Sequence, residues 1–474
     1  MTSITILFLI KLGGISLCIY ILYVIIQHIM SRYTTGLNFY SSPYIGDNTI
    51  ETLLNYNRLV EWKLDIARHF LRLNDKTTHY VTSNIGFPLQ VEIINRELLE
   101  DISKRGLRTG MIGHGCVFND TFEDFLGKYE ISNVDGELWR EQRRRLLPFF
   151  NKYTLIPHLT AVTQKHGDKL IALIKQSAGV VEIQELCGRL TFSIISELVF
   201  GSKVDTSVLI DPFDRMCKHI IYRGFTPMFI WKLCRWFGCN GEDQFAKDKI
   251  YFRQTIDKYV KESDDGFVHN LLHDKSVDSD RIYGCITSLI SGGRDTTAST
   301  LTFIFYVLGG MPEYQQLLRD KVHEHKGNDV IPEIDWMMKE VLRLHGPGPI
   351  NMKEVLNGDY KMPDGGVIPK GSLVFYSPYI INRLPTIWDN PDLFLPERWK
   401  KISSIPASTF PTFNIEPRIC MGKIMTFTEL HLLICMFLTS FKWSIVKVCT
   451  PLMYEQSIFL KIKDGLNIRF TTLT

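Results

Sequence analysis

Phe413-Asn-Ile-Glu-Pro-Arg418-Ile-Cys420-Met-Gly422 is the stretch on which the reading of this chain turns. The residues after the cysteine, 421–440, are mostly apolar or helix-forming and contain no proline, which predicts a helix with Cys420 at its N-terminal end. Unpaired backbone N–H groups and the helix dipole favour negative charge there, so the position lowers a thiol pKa and suits a thiolate. Taken alone, one cysteine in an apolar protein is more often an inert core residue. Three further groups of residues, in a fixed order along the chain, shift that balance.

The first is Ser291-Gly-Gly-Arg-Asp295-Thr296-Thr297, in the middle of a segment, 282–308, that is apolar at both ends. By local chemistry Ser-Gly-Gly-Arg-Asp is a turn that divides the helix. The second is Glu340-Val-Leu-Arg343 on a short helix, 335–344, ended by Gly346-Pro-Gly-Pro349. It is followed by Asn382-Arg383, Trp388 and Phe394, then Pro396-Glu-Arg398-Trp399. An i,i+3 charge pair alone says little, because such pairs decorate many exposed helices. The third is Asp135-Gly-Glu-Leu-Trp139-Arg-Glu-Gln-Arg143, where Trp139 and Arg143 share one helical face. Without the others it reads as a solvated amphipathic helix with a buried tryptophan.

Together the four groups resemble the cytochrome P-450 family, whose cysteine loop is F-x-x-G-x-R-x-C-x-G and whose central helix carries [A/G]-G-x-[D/E]-T-T. The likeness spans about residues 80–470 and is strongest in the last third. It implies a mainly α fold with small β-sheets, and haem b (iron protoporphyrin IX) as cofactor with Cys420 as axial iron ligand. A cysteine ligand pushes electron density onto iron and favours O–O cleavage. By the same resemblance Gly422 lets the helix approach a flat macrocycle, Phe413 covers the sulfur and Arg418 meets a propionate. Trp139 and Arg143 serve a propionate too, and Lys353 stands where relatives often place an arginine, keeping the charge without the bidentate fork. Gly292 and Gly293 leave room for oxygen, Thr296 positions dioxygen and a water, and Asp295 relays protons. The Thr296 hydroxyl can also take the carbonyl four residues back and distort the helix. Glu340, Arg343 and Arg398 are expected to form a buried, structural ion network. One position departs from the loop pattern: Glu416 stands at its glycine, predicting backbone strain and a carboxylate unfavourably near the thiolate.

The rest of the chain bounds this reading. Its 474 residues are 45% hydrophobic and 22% charged, with no Gly/Ser/Pro-rich linker, so one large globule is expected. A net charge of +3 gives no basis for nucleic-acid binding. Ten cysteines occur without a C-x-x-C, the closest being Cys234 and Cys239, which fits reduced thiols in a cytosol-facing domain. Residues 12–30 carry no formal charge and span roughly 28 Å as a helix, close to the thickness of a bilayer core. They predict a membrane anchor over 1–32 and a haem-thiolate catalytic domain over 33–474, single-pass in the endoplasmic reticulum membrane and facing the cytosol. Helical spacing dominates beyond it, for example over 98–105, 138–147 and 186–200; β-rich runs at 78–83, 373–379 and 465–470 predict small sheets. The charged stretch 262–280 reads as a surface connector.

No phosphate-cradling G-x-G-x-x-G follows a strand, so electrons must come from outside. The resemblance implies an NADPH-dependent flavoprotein reductase, with cytochrome b5 as a second donor, and the basic run Arg140, Arg144 and Arg145 offers an acidic partner a docking surface. The expected function is a membrane-bound monooxygenase that places one atom of O2 into a lipophilic substrate. Residues 131–139 and 292–298, with Arg223, Pro227 and Trp231-Lys232, resemble the fungal and plant branch that hydroxylates fatty acids and alkanes, and apolar segments 111–125, 225–237 and 282–290 suit an alkyl chain and equally a sterol or terpene. Glu416, Lys353 and His345-Gly346 in place of a common Tyr-Pro pair motivate the alternative, a diverged ligand-binding or interaction protein of the same fold without oxidase activity.

Overall fold

The computed structural model describes residues 35–473, apart from 41–47, 85, 178, 203–204, 206, 264, 273–277, 326–329 and 456. The expected anchor, 12–30, lies outside the described residues. Helix dominates. The elements run α1 (Thr49–Leu54), α2 (Leu59–Leu73), β1 (His79–Thr82), β2 (Gln90–Ile93), α3 (Arg96–Asp101), β3 (Ile112–Gly113), α4 (Gly115–Leu126), α5 (Gly136–Leu146) and α6 (Lys152–Gln176). They continue with β4 (Val180–Glu182), α7 (Ile183–Phe200), α8 (Ile210–Phe225), α9 (Met228–Phe237), α10 (Glu242–Glu262), α11 (Gly266–Leu272), α12 (Ser279–Gly293), α13 (Asp295–Gly310), α14 (Pro312–Glu324) and α15 (Pro332–His345). The last third holds β5 (Asn351–Val355), β6 (Tyr360–Lys361), β7 (Val367–Ile368), β8 (Leu373–Tyr376), α16 (Pro378–Ile381), α17 (Lys423–Ser440), β9 (Phe441–Lys447), β10 (Tyr454–Glu455), β11 (Lys461–Ile462) and β12 (Asn467–Thr472).

The largest sheet has the order β1-β2-β8-β5-β3 and is antiparallel except where β2 runs parallel to β8. A second sheet, β4-β12-β9, brings the C-terminal strand back onto α13, and two hairpin-sized pairs complete the set among the described residues. Strand β8 stops at Tyr376, short of the expected 379, because the Ser377 hydroxyl accepts the Ile380 N–H at 3.2 Å and Pro378 opens α16. The stretch 262–280 is not simply a surface connector: Phe267, Val268 and Leu271 of α11 are buried against α7, and the charges flank them.

The centre of the fold is α12 followed by α13. Leu301, Phe303, Ile304, Phe305 and Leu308 are at most 1% exposed, each contributing about 1.5–3 kcal/mol by burial. They pack against α7, α15 and β9. The helix is interrupted only at Arg294, whose backbone sits at φ −78°, ψ −77°. The turn that local chemistry gives at 291–297 thus shrinks to one residue, and the distorted long helix implied by the resemblance is what forms, since hydroxyls serve the carbonyls there: Thr296 donates to Gly292 and Thr191 of α7 donates to Arg294 at 3.0 Å. A Cβ at Gly293 would come within 2.8 Å of Ile195, so this glycine permits close packing of α12 on α7. Gly292 alone faces open space.

Helix α17, which follows the cysteine loop, is apolar and long enough to cross a membrane by composition; here it packs against α6, α14 and α15. Helix α15 begins with Pro332, whose fixed φ suits a first turn, and buries Ile334, Met337, Met338, Val341 and Leu342 along one face. This brings Glu340 and Arg343 of that helix beneath the segment that leads to Cys420.

Candidate active site

A cavity of about 1260 Å³ is lined by Gly292, Gly293 and Thr296 of the central helices and by Phe413, Cys420 and Gly422 of the cysteine loop. The cysteine loop is built from the backbone outward. Cys420 N–H donates to the Phe413 carbonyl at 2.9 Å, and the turn between them places Asn414 at φ 66°. Its side chain holds the turn by accepting the Ile415 N–H at 2.7 Å and the Tyr376 hydroxyl at 2.8 Å. With ψ at 177°, Asn414 therefore takes a positive-φ, extended conformation that normally calls for glycine, and these two hydrogen bonds hold it there. Glu416 does not adopt a positive φ, and its half-exposed carboxylate pairs with Arg108. The strain and the carboxylate–sulfur conflict expected at position 416 are absent.

Gly422 caps α17, and the backbone N–H groups of Gly422 and Lys423 are directed at the Cys420 sulfur. Burial nonetheless pushes the thiol up from its ordinary value, against the pull of those N–H groups, Arg143 and Lys423. The lowering expected from the helix end is present and outweighed. Phe413 packs on Phe427 with ring centroids 5.6 Å apart, under the Lys423 ammonium.

Thr296 lines the cavity, whereas Asp295 does not. The Asp295 carboxylate is buried 3.7 Å from Arg294 and 4.0 Å from Lys461, and Arg294 reaches Asp214 of α8 at 2.7 Å. The two residues expected to act together thus face different surroundings.

Four positive or protonatable groups converge beside the loop. The Arg418 guanidinium lies 4.5 Å from the Trp139 ring and Arg143 lies 5.4 Å from it, on the face the sequence predicted. Arg143 donates to the Ile419 carbonyl at 3.0 Å. Arg418 donates to the Val134 carbonyl at 2.8 Å and pairs with Asp135. Lys353 is buried with its ammonium 3.1 Å from the Met352 carbonyl, and burial beside Arg418 pushes it down to about 7. Burial next to Lys353 likewise lowers His114 to about 3, and burial pushes Arg418 down to about 10. Although burial acts to raise it, Asp135 is held well below the usual carboxylate range by His114 and Arg418.

His114 and Asp135 were not singled out by the sequence. His114 sits between two glycines with no pattern to mark it, while Asp135 opens the Trp139 motif and could have been weighed as the partner of Arg418. Glu130 was missed as well. It lines the cavity, and burial raises its carboxyl to about 7, against hydrogen bonds from Ser132 and Ser288.

The three apolar segments contribute unequally. Phe118, Phe122 and Phe125 of α4 and Phe229 and Trp231 of α9 line the cavity, but from 282–290 only Ser288 and Leu289 do. Leu233, Trp236 and Phe237 face outward. Gly86, which lines the cavity with φ 84°, packs directly on the start of α9: a Cβ there would lie 2.8 Å from Pro227 Cγ. The cavity-lining cations away from the loop are already paired, Arg223 with Glu242 and Asp124, Lys63 with Glu92 at 2.8 Å, and Lys232 with Asp120. On α5, Arg140 and Arg144 both pair with Glu137 and Arg145 with Glu141, so the basic run is partly neutralised within its own helix.

Beneath the loop, Glu340 and Arg343 are wholly buried. Arg343 donates to both Glu340 oxygens at 2.9 and 2.8 Å, and Arg398 donates at 3.1 Å. Trp399 Nε1 and Leu395 N–H add bonds at 2.9 Å each, two partners the sequence did not supply.

A sequence model of the cytochrome P-450 family matches residues 65–470. The chain is 24% identical over 443 residues to cytochrome P-450 94A1 of Vicia sativa, covering 85% of this chain and 84% of that protein. It is 26% identical over 492 residues to cytochrome P-450 704C1 of Pinus taeda, covering 90% and 92%. Alkane hydroxylase MAH1 of Arabidopsis thaliana is 24% identical over 404 residues, covering 73% and 78%. The motifs, the helical fold with its small sheets and the match over most of the length agree: this chain belongs to the cytochrome P-450 family of haem-containing monooxygenases.

Proposed function

We propose that this chain hydroxylates an alkyl chain, of a fatty acid or an alkane, and that the Cys420 sulfur would hold the haem iron. The observation that carries the reading is a single apolar-walled cavity shared by Cys420, Thr296 and the rings of α4 and α9. Its volume exceeds what one drug-sized ligand needs, which suits a macrocycle and a substrate together. The site fits haem on a further ground: Lys353, Arg418 and His114 are all held below their ordinary pKa values by burial in one cluster. A bound dianion would favour the charged forms that burial disfavours here, and two propionates would supply it. Haem, when bound, provides the activation of dioxygen and the oxygen insertion.

The roles left to the chain follow from its geometry. Cys420 offers a sulfur set among backbone N–H groups, Gly422 and Phe413 flank it, and Arg418, Trp139, Arg143 and Lys353, joined by His114, hold the propionate side. The Thr296 hydroxyl, bonded to the Gly292 carbonyl, stands at the cavity wall where it can pass a hydrogen bond to a ligand. Asp295 supplies protons from the opposite side of that wall, where Lys461 is partly exposed. The aromatic lining and the name of the Arabidopsis relative support an alkyl substrate.

Residues 1–32 would anchor the catalytic domain, 33–474, in the endoplasmic reticulum membrane with that domain on the cytosolic side. The outward face of α9, with Leu233, Trp236 and Phe237, belongs to a helix that also lines the cavity and supports a membrane-facing orientation. Electrons would come from an NADPH-dependent flavoprotein reductase or cytochrome b5. A carbon monoxide difference spectrum of the reduced protein tests the core of this reading: a thiolate-type Soret band is expected, and failure to take up haem would overturn it. Product analysis with a fatty acid and an alkane of equal length then tests the substrate class.

A further inference from the structure

The closest pair of cysteines in the sequence, Cys234 and Cys239, takes no part in the site described above. Helix α9 ends with Gly238 in the left-handed conformation at φ 63°. Cys239 N–H donates to the Cys234 carbonyl at 3.0 Å and Gly238 N–H to the Arg235 carbonyl at 3.3 Å. This arrangement of helix end sets those two positions side by side, and it commonly brings their side chains into contact. Cys239 Sγ lies 3.6 Å from the Cys234 carbonyl, and contact with the Cys234 side chain raises the Cys239 thiol.

A second observation points at the other sulfur. The Tyr222 hydroxyl of α8, at 3.8 Å, and Asn240 Nδ2, at 3.5 Å, both direct donors at Cys234 Sγ, and Asn240 also donates to the Tyr222 oxygen at 3.2 Å. Donors aimed at a sulfur stabilise negative charge developing on it. Cys239, by contrast, is exposed to solvent. A partly shielded sulfur supported by donors, touching an exposed thiol, is the arrangement of a nucleophile with its resolving partner.

We propose that Cys234 and Cys239 form a redox-active dithiol that closes to a disulfide, with hydrogen peroxide as the oxidant. One sulfur attacks the peroxide O–O bond, giving a sulfenic acid while the departing hydroxide takes the thiol proton and leaves as water. The second thiol attacks the sulfenic sulfur, the S–S bond forms, and the hydroxyl departs with the second proton as another water. Two thiols lose two electrons and the peroxide gains two. The bond would staple the last turn of α9 to the turn that leads into α10 and draw Cys234 away from Tyr222. Met228, Phe229, Trp231 and Lys232 of the same helix line the cavity, so the staple stiffens one of its walls.

The test uses the full-length protein in detergent and does not depend on haem. Peroxide is raised until the exposed thiol of Cys116, beside Glu354, begins to oxidise; remaining thiols are then alkylated and the protein is digested with trypsin without reduction. Cleavage after Lys232 and Arg235 puts the two cysteines on separate peptides, 233–235 and 236–247. The expected result is that these peptides are joined before Cys116 oxidises, that dithiothreitol separates them, and that Tyr222→Phe slows their joining. Cys239→Ser should leave Cys234 as a sulfenic acid trapped by dimedone. Unlinked peptides at a dose that oxidises Cys116, or pairing of either cysteine with another thiol first, would overturn the proposal.

Discussion

Replacing Glu340 with glutamine removes one charge and almost no volume, so its effect isolates the electrostatics under the cysteine loop. The native carboxylate accepts hydrogen bonds from Arg343, Arg398, Trp399 and the Leu395 backbone. Glutamine offers one oxygen in place of two and turns an NH2 group towards these donors. Arg343, with none of its side chain exposed, would keep its charge but lose its counter-ion; removing one partner of a buried pair costs about 3–5 kcal/mol. Three carbonyls still accept from Arg343, those of Asn382 at 2.7 Å, Pro391 at 2.6 Å and Leu393 at 2.9 Å. They place the expected cost near the lower end, about 3 kcal/mol, a large share of the roughly 5–15 kcal/mol that stabilises a domain. Arg398 is 12% exposed and can turn to water, so Arg398→Gln should cost less. Urea unfolding in a fixed detergent measures both, and the Glu340→Gln, Arg343→Gln double variant completes a thermodynamic cycle. A cost for Glu340→Gln below about 1 kcal/mol, the value of a surface pair, or independent effects of the two substitutions would refute the argument.

Thr296→Ala should leave haem content intact while lowering productive turnover by about a hundredfold, the low end for a positioned proton-transfer group; the ratio of product to NADPH consumed checks this, and an unchanged ratio removes Thr296 from the chemistry. Glu416→Gly is expected to leave haem occupancy unchanged and to cost about 0–1 kcal/mol, because only an exposed pair with Arg108 is lost; the haem-to-protein absorbance ratio decides it. Lys353 is lowered from 10.5 to about 7 on folding, so the unfolded chain binds the extra proton between those values. Before haem is added, its penalty is therefore full below pH 7 and is relieved as pH rises towards 10.5. Lys353→Met should consequently stabilise the protein most near neutrality, with the gain shrinking as pH rises, while weakening haem retention. Urea midpoints of both forms across that range test the sign.

The cysteine loop, the Trp139 face and the Glu340 network were legible because each depends on residue types at short, fixed spacings that a helix or tight loop converts directly into proximity. Even so, local rules misjudged 291–297. Gly-Gly-Arg-Asp is a breaker by propensity, yet backbone bonds from Arg294 N–H to Ile290 and from Ala298 N–H to Arg294 span it, and the hydroxyls of Thr296 and of Thr191, more than a hundred residues away, serve neighbouring carbonyls. Glu416 misled in the opposite direction: the loop pattern suggests a glycine-like backbone there, yet the positive φ falls at Asn414, fixed by a hydroxyl from strand β8. His114, Lys461 and Asp214 reach the site through sheet pairing and helix packing, contacts that no local pattern encodes. The separation of Asp295 from Thr296 has the same origin, since adjacent residues on a helix point about 100° apart.

The contact between Gly86 and Pro227 has a consequence for traffic. Where backbone and ring meet with no intervening side chain, no rotamer change can part them; a stretch of main chain has to shift. Any passage between residue 86 and α9 would therefore keep the clock of loop motion, nanoseconds to microseconds or slower, and a larger residue at position 86 would prop the two banks apart.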